Sequence, residues 1–186
     1  IMPAVNFVAI YNISKLLDLY VFLADVDPVS GQMTPKTLVE CIKKNRLKNI
    51  KEIITMYLGG YPENIPEFYK IKKKLNCYLV EDACHALGAK YFFGKRLHHV
   101  GSCKHSDIAA FSFHAVKTIT TGEGGMVVCN DDELYEKAKY YRNLCFNNEQ
   151  RFVHNDLGWN LRMTNLQAAV GCAQLERIDM IVRRKR

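Results

Sequence analysis

Cys77-Tyr78-Leu79-Val80-Glu81-Asp82 is a short apolar run that stops abruptly at two acids. Its length and lack of polar alternation predict a strand buried on both faces, as in a parallel sheet. Similar runs recur at residues 2–5, 20–24, 50–57, 108–113 and 126–129. Helical spacing fills the intervals. Ile10, Ile13, Leu16 and Leu17 share one stripe within 7–19, and Phe68, Ile71 and Leu75 share another within 66–75. Thr34-Pro35 reads as an N-cap with proline at the first helical position. Asn130-Asp131-Asp132 caps a helix to about Asn143, and Thr164-Asn165-Leu166-Gln167 is a capping box opening a long final helix. Residues 88–97 read as a turn or hairpin, and 146–160 as irregular and polar. Strands alternating with helices predict an α/β fold with a mostly parallel sheet, helix-covered on both faces. Ligands in such sheets bind beyond the carboxyl ends of the strands.

The totals fit that reading. The 186 residues suffice for one core and one domain. No apolar run approaches the roughly 18–20 residues that span a bilayer, and no secretory signal opens the chain. The sequence starts inside a strand-like run and stops at Arg183-Arg184-Lys185-Arg186 within a helix-like one, so it reads as a piece of a longer chain. The net charge of +7 comes mainly from 43–48, 70–74 and the last ten residues. All overlap helix-like segments, so solvated helix faces are the simpler reading and attraction of phosphates or nucleotides the sharper one. No nucleic-acid recognition motif accompanies the charge. Seven cysteines, an odd number without a CxxC pair, point to a reducing cytoplasm and free thiols. His98, His99, Cys103 and His105 lack zinc-site spacing, so a loop or hairpin is expected there and no metal.

The chemistry centres on Lys117. It lies in Phe111-Ser112-Phe113-His114-Ala115-Val116-Lys117, just past a strand-like run and just before the glycines of 122–125. An amine for a Schiff base and a carboxylate for a pyridine nitrogen, each just past a buried strand, suit pyridoxal 5′-phosphate. Either Glu81 or Asp82 could supply the carboxylate. As neighbours on a strand they point to opposite faces, so only one meets the ring, and position alone does not choose. Ser112 can donate to a phosphate oxygen. The glycine run matches neither a P-loop nor GxGxxG.

Taken together, these stretches resemble the DegT/DnrJ/StrS-type sugar aminotransferases. Glu81-Asp82-Ala83-Cys84-His85-Ala86-Leu87-Gly88-Ala89 resembles one family motif. Ser106 to Lys117, followed by Thr121-Gly122-Glu123-Gly124-Gly125, resembles the family's lysine segment. Asn130-Asp131-Asp132-Glu133-Leu134, Arg142-Asn143 and Gly158-Trp159-Asn160-Leu161-Arg162-Met163-Thr164 continue the likeness over essentially the whole chain. The subgroup it resembles most aminates C4 of UDP-linked 4-keto-6-deoxy hexoses on the way to pseudaminic-type sugars.

The resemblance implies a fold type I (aspartate aminotransferase-like) large domain, incomplete at both ends. Residues 1–186 would be its central part, without the amino-terminal phosphate loop and the carboxyl-terminal small domain. Lys117 would hold the cofactor, Asp82 rather than Glu81 would meet the pyridine nitrogen, and His85 would lie beside the ring. Ser112 would bind the phosphate and Phe7 would stack on the ring. Asn160 would reach the phosphate of a neighbouring subunit, which implies a homodimer. His114 and Glu123 would face the sugar. The implied activity is transamination of a keto nucleotide-sugar, with L-glutamate as amino donor, in amino-sugar and cell-surface polysaccharide biosynthesis. Lysine at position 117, where related dehydratases have histidine, favours transamination. The competing reading is a non-catalytic ligand-binding or regulatory module that keeps the fold.

Overall fold

The strand Tyr78–Asp82 lies at the centre of the sheet, as its unbroken apolar run predicts. The computed structural model describes residues 1–146 and 152–185. In chain order the elements are β1 Met2–Pro3, α1 Val8–Leu16, β2 Leu23–Ala24, α2 Pro35–Lys44, β3 Glu52–Met56, a short 3-10 turn Leu58–Gly60, and α3 Ile65–Leu75. There follow β4 Tyr78–Asp82, the hairpin strands β5 Lys90–Phe93 and β6 Arg96–His99, β7 Ile108–Ser112 and β8 Gly125–Cys129. Helices α4 Asp132–Arg142, α5 Asn165–Leu175 and α6 Ile178–Lys185 complete the fold.

β3, β4 and β7 run parallel, with Met56 opposite Asp82 and Asp82 opposite Ala110. β8 is antiparallel to β7 and sets Gly125 opposite Ser112. β1 pairs in parallel with β2 and lies along β3, where the Ile54 N–H donates to the Ile1 carbonyl at 2.8 Å. The four-stranded sheet therefore has the order β3-β4-β7-β8, parallel except for its last strand, with the β1-β2 pair alongside β3.

The main core covers one face of this sheet. Ile53 and Leu79 pack with Leu38 and Cys41 of α2 and Phe68 of α3. Phe68 is 2% exposed, and burial of a side chain of that size contributes roughly 1.5–3 kcal/mol. Thr34 caps α2 in a reciprocal box with Thr37, beside Pro35 at the first helical position. A second cluster, including Tyr57, Ala83, Ala86 and Tyr91, lies where the 3-10 turn, the loop after β4 and the hairpin meet. On the other face Val127 remains 56% exposed, and α1 leaves Val8, Ile13 and Leu16 more than half exposed. Met126, on the core face, is itself 52% exposed, so helical cover is partial on both faces.

The long final helix expected from residue 164 is two helices. The Arg177 N–H bonds to Gln174 O, three residues back, which tightens and ends α5. The chain then turns so that Ile178 and Val182 of α6 pack closely against Gly88. The irregular segment 146–160 is seen at both ends, and 147–151 lie outside the described residues. Among the described residues no helix is long and apolar enough to cross a membrane.

Candidate functional site

Sheet geometry separates the two acids of β4. Glu81 is 2% exposed; it accepts from the Tyr57 hydroxyl at 2.9 Å and the Gly101 N–H at 3.2 Å. Burial pushes its carboxyl above the ordinary glutamate value, against the pull of those two donors. Burial likewise raises Tyr57, with Glu81 next in effect. Glu81 is therefore an internal fastener. Asp82, 6% exposed, accepts the Cys84 N–H at 3.1 Å and has no ion-pair partner among the described residues. Alternation along the strand puts it on the opposite face.

Cys84 and His85 lie in the fields of both Asp82 and Lys117. Burial, then a hydrogen bond and the negative charge of Asp82, push the Cys84 thiol up to about 12, while Lys117 acts in the other direction. Burial lowers the His85 pKa; Lys117 adds to the lowering and Asp82 opposes it. The structure thus gathers Asp82, Cys84, His85 and Lys117 at the carboxyl ends of β4 and β7. His85 Nδ1 accepts the Gly59 N–H at 3.3 Å, which ties it to the 3-10 turn after β3.

The segment between β7 and β8 carries the remaining candidates. Ser112 ends β7, and its Oγ accepts the His114 N–H at 3.3 Å, leaving the hydroxyl proton free to donate elsewhere. The Lys117 N–H donates to His114 O at 3.0 Å, so Lys117 sits in a tight turn just past the strand. His114 Nε2 lies 3.8 Å from Glu123 Oε1, and both side chains are well exposed. Helix α5 holds this segment: Gln167 Nε2 donates to Glu123 O at 3.1 Å, and the Thr120 N–H donates to Gln174 Oε1 at 3.0 Å. From α6, Lys185 Nζ donates to Lys117 O at 3.2 Å.

Two expected residues have only local partners. Phe7 precedes α1 beyond the end of β1 and is 70% exposed, with its N–H on Asn6 Oδ1 at 2.7 Å. Asn160 is exposed and forms an isolated antiparallel bridge with Asn143. Neither is held against Lys117 or Asp82 by a hydrogen bond. The histidines of 98–105 lie elsewhere. His98 is on β6, and His105 stacks on Phe93 with ring centroids 4.0 Å apart and meets the Tyr91 hydroxyl at 2.7 Å. A cavity of about 420 Å³ lined by Ile1, Tyr20, Phe22, Leu47 and Glu52 has no candidate residue in its lining.

Sequence reasoning missed three contributors. Cys84 had no motif beyond its place in the acid segment. Gly59 and Gly60 carry no side-chain signal, although paired glycines shortly after a strand are consistent with a close backbone approach. Gln167 was read only as a capping residue, although with Gly171 and Gln174 it forms one helical face at i, i+4, i+7.

The donor set fits pyridoxal phosphate. A buried carboxylate without a cation of its own suits a protonated ring nitrogen. A lysine just past the neighbouring strand suits the aldehyde, and a serine hydroxyl with a free proton suits the phosphate.

Comparison with known proteins agrees. GDP-perosamine synthase of Escherichia coli O157:H7 is 36% identical over 186 residues, covering 100% of this chain and 48% of that protein. UDP-4-amino-4,6-dideoxy-N-acetyl-beta-L-altrosamine transaminase of Campylobacter jejuni is 37% identical over 151 residues, covering 80% of this chain and 38% of that one. Among solved structures, Helicobacter pylori PseC, an aminotransferase involved in the biosynthesis of pseudoaminic acid, superposes with a TM-score of 0.81 at 29% identity. That match covers 96% of this chain and 46% of the other. The chain thus spans less than half the length of these relatives. The sequence pattern of the DegT/DnrJ/EryC1/StrS aminotransferase family matches residues 1–186, and the chain belongs to that family.

Proposed function

We propose that the intact protein is a pyridoxal phosphate-dependent aminotransferase acting on a keto nucleotide-sugar. The observation that carries this reading is the grouping of Asp82, His85 and Lys117 at the carboxyl ends of two adjacent parallel strands. The names of the relatives support a nucleotide-linked sugar, under both GDP and UDP. A UDP-linked 4-keto-6-deoxy hexose is our preferred substrate and L-glutamate our preferred donor. Residues 1–186 form the central part of the large domain.

When bound, the cofactor supplies an electron sink for the carbon that gains or loses the amino group. Asp82 holds a proton at its ring nitrogen, and the ionised carboxylate keeps that proton in place. Lys117 Nζ is the covalent anchor and, once released, the base that takes a proton from the donor's Cα. Ser112 donates its hydroxyl proton to a phosphate oxygen. His85 lies beside the ring and Phe7 stacks on it. His114 and Glu123 face the sugar. Asn160 serves the phosphate site of a second subunit, so the enzyme works as a homodimer, and its free cysteines suit a reducing cytoplasm.

Titration of the intact protein with pyridoxal phosphate tests the reading. A visible absorbance band, lost in Lys117→Ala, supports an enzyme, and turnover is then assayed on GDP- and UDP-linked keto sugars with L-glutamate. No band in the folded wild type leaves the binding or regulatory module as the better description.

A further inference from the structure

His85 is held from outside its own segment. The Gly59 N–H points at its Nδ1 from 3.3 Å. Gly60 lies against its backbone: a β-carbon on Gly60 would stand 2.4 Å from the His85 carbonyl oxygen. The φ of Gly60 is 82°, in the left-handed region. The turn is itself anchored to the sheet. The Gly60 N–H donates to Tyr57 O at 2.9 Å, and the Tyr57 N–H donates to Asp82 O at 3.3 Å. The Tyr57 hydroxyl reaches Glu81 at 2.9 Å. The buried Glu81 on one face of β4 thus steadies, through Tyr57, a turn that grips His85 on the other.

A neutral imidazole has one N–H and one bare nitrogen, and a fixed partner at one decides the state of the other. An amide proton aimed at Nδ1 requires a lone pair there. It places the imidazole proton on Nε2 and opposes a second proton at Nδ1. Building on the proposed function, we propose that the Gly59-Gly60 turn is a positioning element that keeps His85 neutral and protonated on Nε2 alone. The charged groups facing His85 divide: the Lys117 ammonium also disfavours imidazolium, and Asp82 favours it. The turn tips this balance, so no second cation forms beside the lysine that must act as an amine. His85 then meets a bound ring as an uncharged plane with one N–H to donate.

The test is nitrogen-15 NMR of histidine-labelled intact protein without cofactor, with His85 assigned by its loss in His85→Asn. We expect the Nε2–H tautomer in the wild type. In Gly60→Ala the added methyl displaces the turn. Both tautomers then appear, and the imidazolium fraction at neutral pH rises several-fold. Gly59→Asn keeps the N–H, meets nothing within 4 Å of its new β-carbon and tolerates the left-handed φ, so its spectrum matches the wild type. An Nδ1–H tautomer in the wild type overturns the proposal, as does a folded Gly60→Ala with unchanged His85 titration. If Gly60→Ala does not fold, the wild-type tautomer decides alone. Because the readout needs no cofactor, a missing visible band would sink the enzyme reading while leaving this result standing.

Discussion

Glu81 takes a hydrogen bond from the Tyr57 hydroxyl on one face of β4, while Asp82, the next residue, shapes the field around Cys84 and His85 on the other. One strand end therefore supplies both a fastener and a candidate site carboxylate. The strand period of two keeps them apart.

Asp82 acts on Cys84 by a hydrogen bond and by charge, on top of burial. In Asp82→Asn the charge goes and burial remains. The Cys84 thiol, at about 12 in the wild type, should titrate at lower pH. Alkylation of Cys84 followed by mass spectrometry across a pH series reads this directly. An unmoved alkylation profile would mean that Asp82 does not face Cys84.

Glu81 has a pKa above the ordinary value of 4.5 because it is buried. The native state therefore binds its proton more tightly than the unfolded chain does. This contribution to stability is fully present below 4.5 and is lost as pH rises through the raised folded-state pKa. Glu81→Gln cannot titrate and should flatten that part of the profile. Urea midpoints between about pH 4 and 7 measure it, and parallel profiles for the two proteins would refute it.

Asp107 ties α3 to β4. Its Oδ1 lies 2.6 Å from Lys72 Nζ, and its Oδ2 accepts the Leu79 N–H at 2.7 Å. Asp107→Ala leaves the Leu79 amide without that acceptor and should cost about 2 kcal/mol. Lys72→Met keeps the amide bond and should cost less. Equal losses in denaturant unfolding would show that the ion pair, not the amide bond, dominates.

Gln174 should govern the mobility of the lysine segment. Gln174→Ala removes the acceptor of the Thr120 N–H and should cost about 1 kcal/mol. Amide exchange at Thr120 should then speed up by several-fold, with exchange in the buried strand β4 little changed. Equal acceleration in both places would indicate global destabilisation instead.

The strand runs and helix starts were legible because burial and capping leave local marks. Thr34, Asp131 and Thr164 cap helices as read, each side chain accepting the amide of the third residue along. The α5–α6 break was not legible, because close packing on Gly88, far away in sequence, decides it. At the site, Lys117 and Asp82 stood out by position after strands. Position alone left Asp82 and Glu81 equal, because alternation shows that they differ and not which face holds a ligand; the sheet adds that Glu81 is taken up by Tyr57 and Gly101. The Gly59 contact to His85 joins loops 26 residues apart through a backbone N–H, a group every residue but proline carries and no side-chain pattern reveals.

The hold of α5 on the lysine segment also sets an order of events during synthesis. Thr120 waits for Gln174, 54 residues later. At ribosomal rates of about 5–20 residues per second, that is roughly 3–11 s. Through that interval the strands upstream can pair and close their core while the segment bearing Lys117 lacks its clasp. Lys117 is thus among the last parts of this chain to be set in place.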